Sequence, residues 1–165
     1  MRTKTLVDSP VGPLTLVADG GVLAGLFMAS HRHAPPLDAL PLEEAGLPAV
    51  REQLAAYFAR DLKDFDVPLA VRGTPFQEQV WAALRAIPYG ETWSYRELAE
   101  AVGRPPAVRA VGLANGRNPV SIVVPCHRVI GSGGALTGYG GGLAAKQWLL
   151  DHETGSAAWS SDSLP

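Results

Sequence analysis

Apolar and polar positions alternate in short bursts over the first quarter of the chain. "KTLVDSPVGPLTLVADGGVLAGLFMAS" breaks its hydrophobic runs at Ser-Pro, Gly-Pro and Asp-Gly-Gly. Such turn signals between short β-prone runs predict three strands in a meander. His31 to Pro48 reads as a loop, rich in proline. In "AVREQLAAYFARDL", Val50, Leu54, Tyr57 and Phe58 recur at helical spacing and predict an amphipathic helix. "FDVPLAV" then suggests a returning strand, placed at an edge or an end by Pro68.

The pattern changes at Thr74. In "TPFQEQVWAAL" a capping threonine, a proline at the first helical position and Gln77 three residues on from the cap predict a helix. "WSYRELAEAVG" repeats the device with Ser94 and Glu97, places Tyr95, Leu98, Ala99 and Val102 on one face, and stops at Gly103. A second short helix is expected from Pro105 and Pro106 through "AVRAVGLAN" to Gly116. Two short helices joined by a glycine-containing turn have the shape of a helix-turn-helix, though simple helix packing gives the same pattern. The second helix sets Ala110, Gly112 and Ala114 around one long cation, Arg109, so its backbone can approach a partner closely. It lacks the polar side chains that read base edges, so any DNA contact should show little sequence preference. "LTGYGGGLAAKQWLLDHE" predicts a glycine-rich loop entering a last helix, and residues 154–165 form a small, polar tail expected to be loose.

Composition adds constraints. With 165 residues, 47% hydrophobic and 18% charged, the chain suits one core or two small lobes. Its apolar runs are too short for a membrane span or a signal peptide. The formal net charge is -2, yet Glu91–Leu150 carries six basic against three acidic residues, while Met1–Thr74 carries seven against nine. A nucleic-acid partner is thus permitted on the second half. A single cysteine excludes an intramolecular disulfide and points to the reducing cytoplasm.

That cysteine, Cys126, sits in "SIVVPCHRVIG". Ser121–Val124 reads as a buried strand that Pro125 must end, which leaves the thiol at the rim of a pocket in an irregular turn. Adjacent side chains in extended chain point apart, so His127 is expected to reach the sulfur through a water. Its other nitrogen needs an acceptor, and Asp151 and Glu153 are the candidates in the last helix. Lowering the thiol pKa would supply the reactive thiolate.

"PCHRVIG", with "RAVGLANGRNP" before it and "LTGYGGGLAAKQWLLDHE" after it, resembles the O6-alkylguanine-DNA alkyltransferases, the methylated-DNA-protein-cysteine methyltransferase family. The resemblance runs closely over Thr74–Glu153, and "SPVGPLTL" fits the family's β-rich first domain. It implies an α+β fold: a small antiparallel sheet with a helix, RNase H-like, over residues 1–73, and a mostly helical, winged helix-turn-helix-like domain over 74–153 carrying the active site. It implies that Cys126 accepts the alkyl group, with His127 as base through a water and Glu153 orienting it. By the same resemblance, Tyr95 donates to a ring nitrogen of the departing guanine and Arg109 fills the gap left by a flipped nucleotide. Asn118 would brace the turn before the cysteine segment, Tyr139 would line the base pocket, and carbonyls near Cys126 and Val129 would read the guanine amino group. Ser121 and Gly140 stand where some relatives have proline and serine, so pocket width and one contact to the base oxygen are open. The zinc site of some relatives is not expected, because no cysteine lies outside the active site.

The implied reaction is irreversible, stoichiometric transfer of a methyl or alkyl group from O6-alkylguanine, and less surely O4-alkylthymine, in double-stranded DNA. It needs no cofactor, and the expected partner surface is the minor groove, met by a monomer. Extruding the base brings its alkyl carbon within reach. Two other classes stay in view. A DNA-binding module without chemistry would not need Cys126, and a cysteine hydrolase would need an oxyanion hole, for which no motif is present. "GYGGGLAAK" matches neither common nucleotide-binding fingerprint.

Overall fold

A computed structural model describes residues 1–32 and 34–155. Strands β1 (Arg2–Val7), β2 (Leu14–Asp19) and β3 (Val22–Met28) form an antiparallel sheet in the order β1-β2-β3. Asp19 pairs with Val22 across a two-residue turn, and both Gly20 and Gly21 have positive φ, the conformation that suits a tight hairpin. One sheet face places Leu14, Leu16, Leu26 and Met28 in the main core. Val17, Ala24 and Phe27 form a smaller cluster covered by Leu37, Leu40 and Ala70.

Helix α1 (Pro48–Phe58) buries Val50, Leu54 and Tyr57, the stripe expected from their spacing. The expected strand over "FDVPLAV" is absent: only Leu69 bridges Leu23, with Ala70 N–H donating to the Leu23 carbonyl at 2.8 Å. Pro68 has no N–H to donate, and the Asp66 backbone is taken by Gln53, whose side chain both accepts from and donates to it.

Helix α2 (Pro75–Leu84) starts with the complete Thr74–Gln77 capping box, and α3 (Tyr95–Ala101) with the Ser94–Glu97 box. Helix α4 (Val108–Gly116) packs on both, and Trp81 Nε1–H donates to the Ala114 carbonyl at 2.9 Å. It begins at Val108, later than expected, because Pro105 and Pro106 occupy the preceding turn instead of opening the helix. Helix α5 (Leu143–Thr154) ends in Gly155 with φ 65°, so residues 154–155 close a helix. The rest of the tail expected to be loose lies outside the described residues.

The apolar run before the cysteine is buried but is not a strand. Val120 makes one bridge to Leu26, after which Ile122 turns to φ 73°. Asn118 drives the turn: its Nδ2 donates to the Val124 carbonyl at 2.8 Å and its Oδ1 accepts from Val120 N–H at 3.0 Å. Each residue so folded needs a local partner for its backbone, and the asparagine supplies it. Two-residue strands β4 (Trp93–Ser94) and β5 (Val129–Ile130) then pair in parallel, joining the cysteine segment to the start of α3.

Candidate active site

Cys126–Arg128 form one turn of 3-10 helix between the Asn118-folded segment and β5. Cys126 is only 5% exposed and His127 fully buried. Burial pushes the Cys126 thiol up, against the opposing effects of the Asn118 side chain, the Lys146 charge and the Ser121 hydroxyl. The resting sulfur is therefore a thiol, contrary to the expected depression. A poised thiolate must await a change around it.

His127 Nε2 lies 2.7 Å from Glu153 Oε2. Of the two acceptors open on sequence, Glu153 is the one in contact. Burial would raise its carboxyl, but His127 and the Arg128 guanidinium outweigh that and hold it far below the usual carboxylate range. The acceptor is thus ionised and His127 Nε2 donates to it, which leaves Nδ1 as the second ring nitrogen. That Nδ1 is buried and has no protein hydrogen-bond partner among the described residues.

Glu153 has further partners that sequence reasoning missed. Arg128 grips it with Nε on Oε1 at 2.8 Å and Nη2 on Oε2 at 3.0 Å, while its Nη1 donates to the Ile87 carbonyl at 2.7 Å. Tyr57 of α1 donates to Oε2 at 2.7 Å. All these groups are buried, so the carboxylate's position is set by three donors at once.

Lys146 was also missed. It is fully buried in α5, and its ammonium donates to the Val129 carbonyl at 2.6 Å and to the Thr137 carbonyl at 3.0 Å. Burial lowers its pKa to about 8, against the opposing effect of Cys126. One signal was available: Lys146, Leu149, Leu150 and Glu153 share a helical face by spacing, which marks the two charges as buried with the leucines. The Val129 carbonyl, expected to read a base, already accepts this ammonium.

A groove of about 490 Å³ runs along α4 and is lined by Tyr95, Arg109, Gly112, Leu113, Tyr139 and Gly140, among others. Tyr95 OH is 2.8 Å from Thr137 Oγ1. Tyr139 is buried, its hydroxyl pushed well above the ordinary value by burial, with Cys126 adding to the rise. Cys126 is not among the residues that line this groove. Gly140 has a physical reason to lack a side chain, since a Cβ there would lie 2.6 Å from His31 Nε2. Leu113, 69% exposed one turn beyond Arg109, is an unusual apolar group on this otherwise small-residue face, and sequence reasoning passed over it.

Ser121 is buried beside Cys126, and Asn118 braces the turn. Among the described residues no group of three or more His, Cys, Asp or Glu side chains is placed to hold a metal ion, and no helix is long and apolar enough to cross a membrane.

Residues 75–155 match the model of the 6-O-methylguanine DNA methyltransferase DNA binding domain, and residues 3–71 that of the same family's ribonuclease-like domain. The chain is 52% identical over 151 residues to a methylated-DNA–protein-cysteine methyltransferase from Mycobacterium tuberculosis, covering 92% of each. It is 50% identical over 149 residues to one from Methanosarcina acetivorans, covering 90% of this chain and 96% of the relative. Its fold matches the crystal structure of Mycobacterium tuberculosis OGT in complex with DNA with a TM-score of 0.89 and 51% identity, over 93% of each chain.

Proposed function

Because the chain belongs to the methylated-DNA–protein-cysteine methyltransferase family, we propose that it repairs alkylated DNA by direct reversal, moving the alkyl group of O6-alkylguanine onto Cys126. The observation that carries the residue assignment is the buried relay in which Tyr57 and Arg128 fix Glu153 and Glu153 fixes His127, directly beside the only thiol.

In this reading the target nucleotide leaves the duplex and enters the groove along α4, with Arg109 taking its place in the stack. His127 Nδ1, free to accept, takes the thiol proton through a water, and the resulting imidazolium is balanced by Glu153. The sulfur attacks the alkyl carbon, the carbon–O6 bond breaks, and its electron pair stays on guanine. Tyr95 stabilises that developing charge by donating to a ring nitrogen, and the thiol proton ends on guanine. Tyr139 and Gly140 line the base site, Ser121 and Asn118 favour the thiolate, and the Val129 carbonyl, already polarised by Lys146, faces the exocyclic amine. The thioether product does not hydrolyse, so each molecule acts once.

We further assign the base-processing chemistry to residues 74–153 and a supporting role to residues 1–73. The protein acts as a monomer in the cytoplasm, reaches DNA through the minor groove with little sequence preference, and takes O4-alkylthymine as a secondary substrate. The small residues and single cation of α4 support shape-based contact. Incubation with a duplex carrying O6-methylguanine should place one methyl on the Cys126 peptide, with loss of the lesion in equal amount. An unmodified peptide beside intact lesion would sink the assignment.

A further inference from the structure

A second cavity, of about 180 Å³, lies where the three-stranded sheet meets the segment after α4, and Arg2, Arg32, Arg72 and Arg117 all line it. These arginines come from four separate stretches: β1, the loop after β3, the segment after the Leu69 bridge, and the end of α4. Only Arg2 has a carboxylate partner, Asp19 Oδ2 at 3.5 Å. The guanidinia of Arg32, Arg72 and Arg117 meet no acidic side chain among the described residues. Like charges gathered around one cavity repel within a Debye length of about 8 Å, and an anion seated among them relieves that repulsion. Guanidinium forks match the oxygens of a phosphate in pairs, which a random set of solvated lysines would not.

Arg32 and Arg117 line the α4 groove as well, so cavity and groove are continuous along one face. We propose that this arginine cavity seats a backbone phosphate of the DNA strand flanking the nucleotide in the groove, which makes the N-terminal sheet part of the DNA footprint. The inference rests on the DNA-repair reading above and adds to it a contact outside the helix-turn-helix. Continuity with the groove favours a phosphodiester over a free anion, because a strand leaving the groove passes directly over the arginines.

Arg72 is exposed and lines the cavity without lining the groove, so R72Q isolates the contact. Binding of wild type and R72Q to lesioned and undamaged duplexes should be measured over a salt series. Alongside it, single-turnover transfer should be measured from the free O6-alkylguanine base, which carries no phosphate. The expected result is an affinity loss of about fivefold near 0.15 M salt, equal for all duplexes, and a log–log salt slope shallower by about one. Transfer from the free base should be unchanged, and R72E should lose more DNA affinity than R72Q. Equal affinity and slope in wild type and R72Q overturn the proposal. Titration with inorganic phosphate separates the sources: phosphate binding lost in R72Q with an unaltered DNA slope means that the cavity serves a free anion, which also overturns it. Absence of methyl transfer from either substrate by wild type would instead refute the repair reading, and the salt slope would still decide the phosphate seat.

Discussion

Tyr57 in α1 donates to Glu153 Oε2 at 2.7 Å, the same oxygen that lies 2.7 Å from His127 Nε2. The helix of the N-terminal half is thereby part of the histidine's support. Tyr57 has a second tie nearby, since its backbone carbonyl lies 2.8 Å from His152 Nε2, and His152 stacks on Trp148. Both halves of the chain meet in one buried polar and aromatic cluster.

Replacing Tyr57 by phenylalanine keeps the ring packing and removes one hydrogen bond to a charged acceptor. Stability should fall by about 1.5–3 kcal/mol, read from denaturant unfolding. Methyl transfer should slow several-fold while duplex affinity holds. Unchanged transfer with the same stability loss would reduce the bond to a structural one.

The Glu153 carboxyl sets a pH dependence. Its folded-state pKa is held below the unfolded value of about 4.3, since His127 and Arg128 outweigh the effect of burial. A depressed carboxyl contributes stability that is fully present above that unfolded value and is lost as pH falls toward the folded one. Acid unfolding of wild type should therefore steepen below about pH 4, and E153Q should lack this component. At neutral pH E153Q leaves Arg128 buried without its counterion and should cost about 3–5 kcal/mol. Parallel acid profiles for the two proteins would contradict the charge assignment.

Lys146 supports the thiolate electrostatically, while burial opposes it. The rate of Cys126 alkylation by a small iodoacetamide, followed against pH, should rise at higher pH than for an ordinary thiol. In K146M alkylation should be slower than in wild type below about pH 8, where the wild-type ammonium is still charged, and the two profiles should converge at higher pH. Equal or faster alkylation of K146M below that pH would remove Lys146 from the thiol's electrostatics.

Leu113 stands exposed on the groove one turn from Arg109, the geometry of an apolar wedge beside the cation that we propose fills the vacated stack. L113A should leave Tm within about 0.5 kcal/mol equivalent of wild type, as expected at an exposed site. It should slow transfer from duplex DNA about tenfold, corresponding to about 1.4 kcal/mol of lost help in opening the stack. Transfer from a single-stranded lesion should fall much less. Equal losses on both substrates would point away from duplex opening.

The sequence by itself determined the elements whose signals are local. The Gly20–Gly21 hairpin, both capping boxes, the Val50–Leu54–Tyr57 stripe and the stop at Gly103 are written within a few residues of where they act. "PCHRV" likewise marked Cys126 and His127 directly. Tertiary structure decided the rest. Ser121–Val124 and Phe65–Val71 had strand-like composition, yet Asn118 and Gln53 claimed the backbone groups a sheet would have used. The thiol's upward shift, the three donors on Glu153 and the four arginines around one cavity all join segments far apart in the chain. Burial and Coulomb interaction depend on which groups packing brings together and how much water it removes, and neither quantity is carried by a residue's neighbours in sequence.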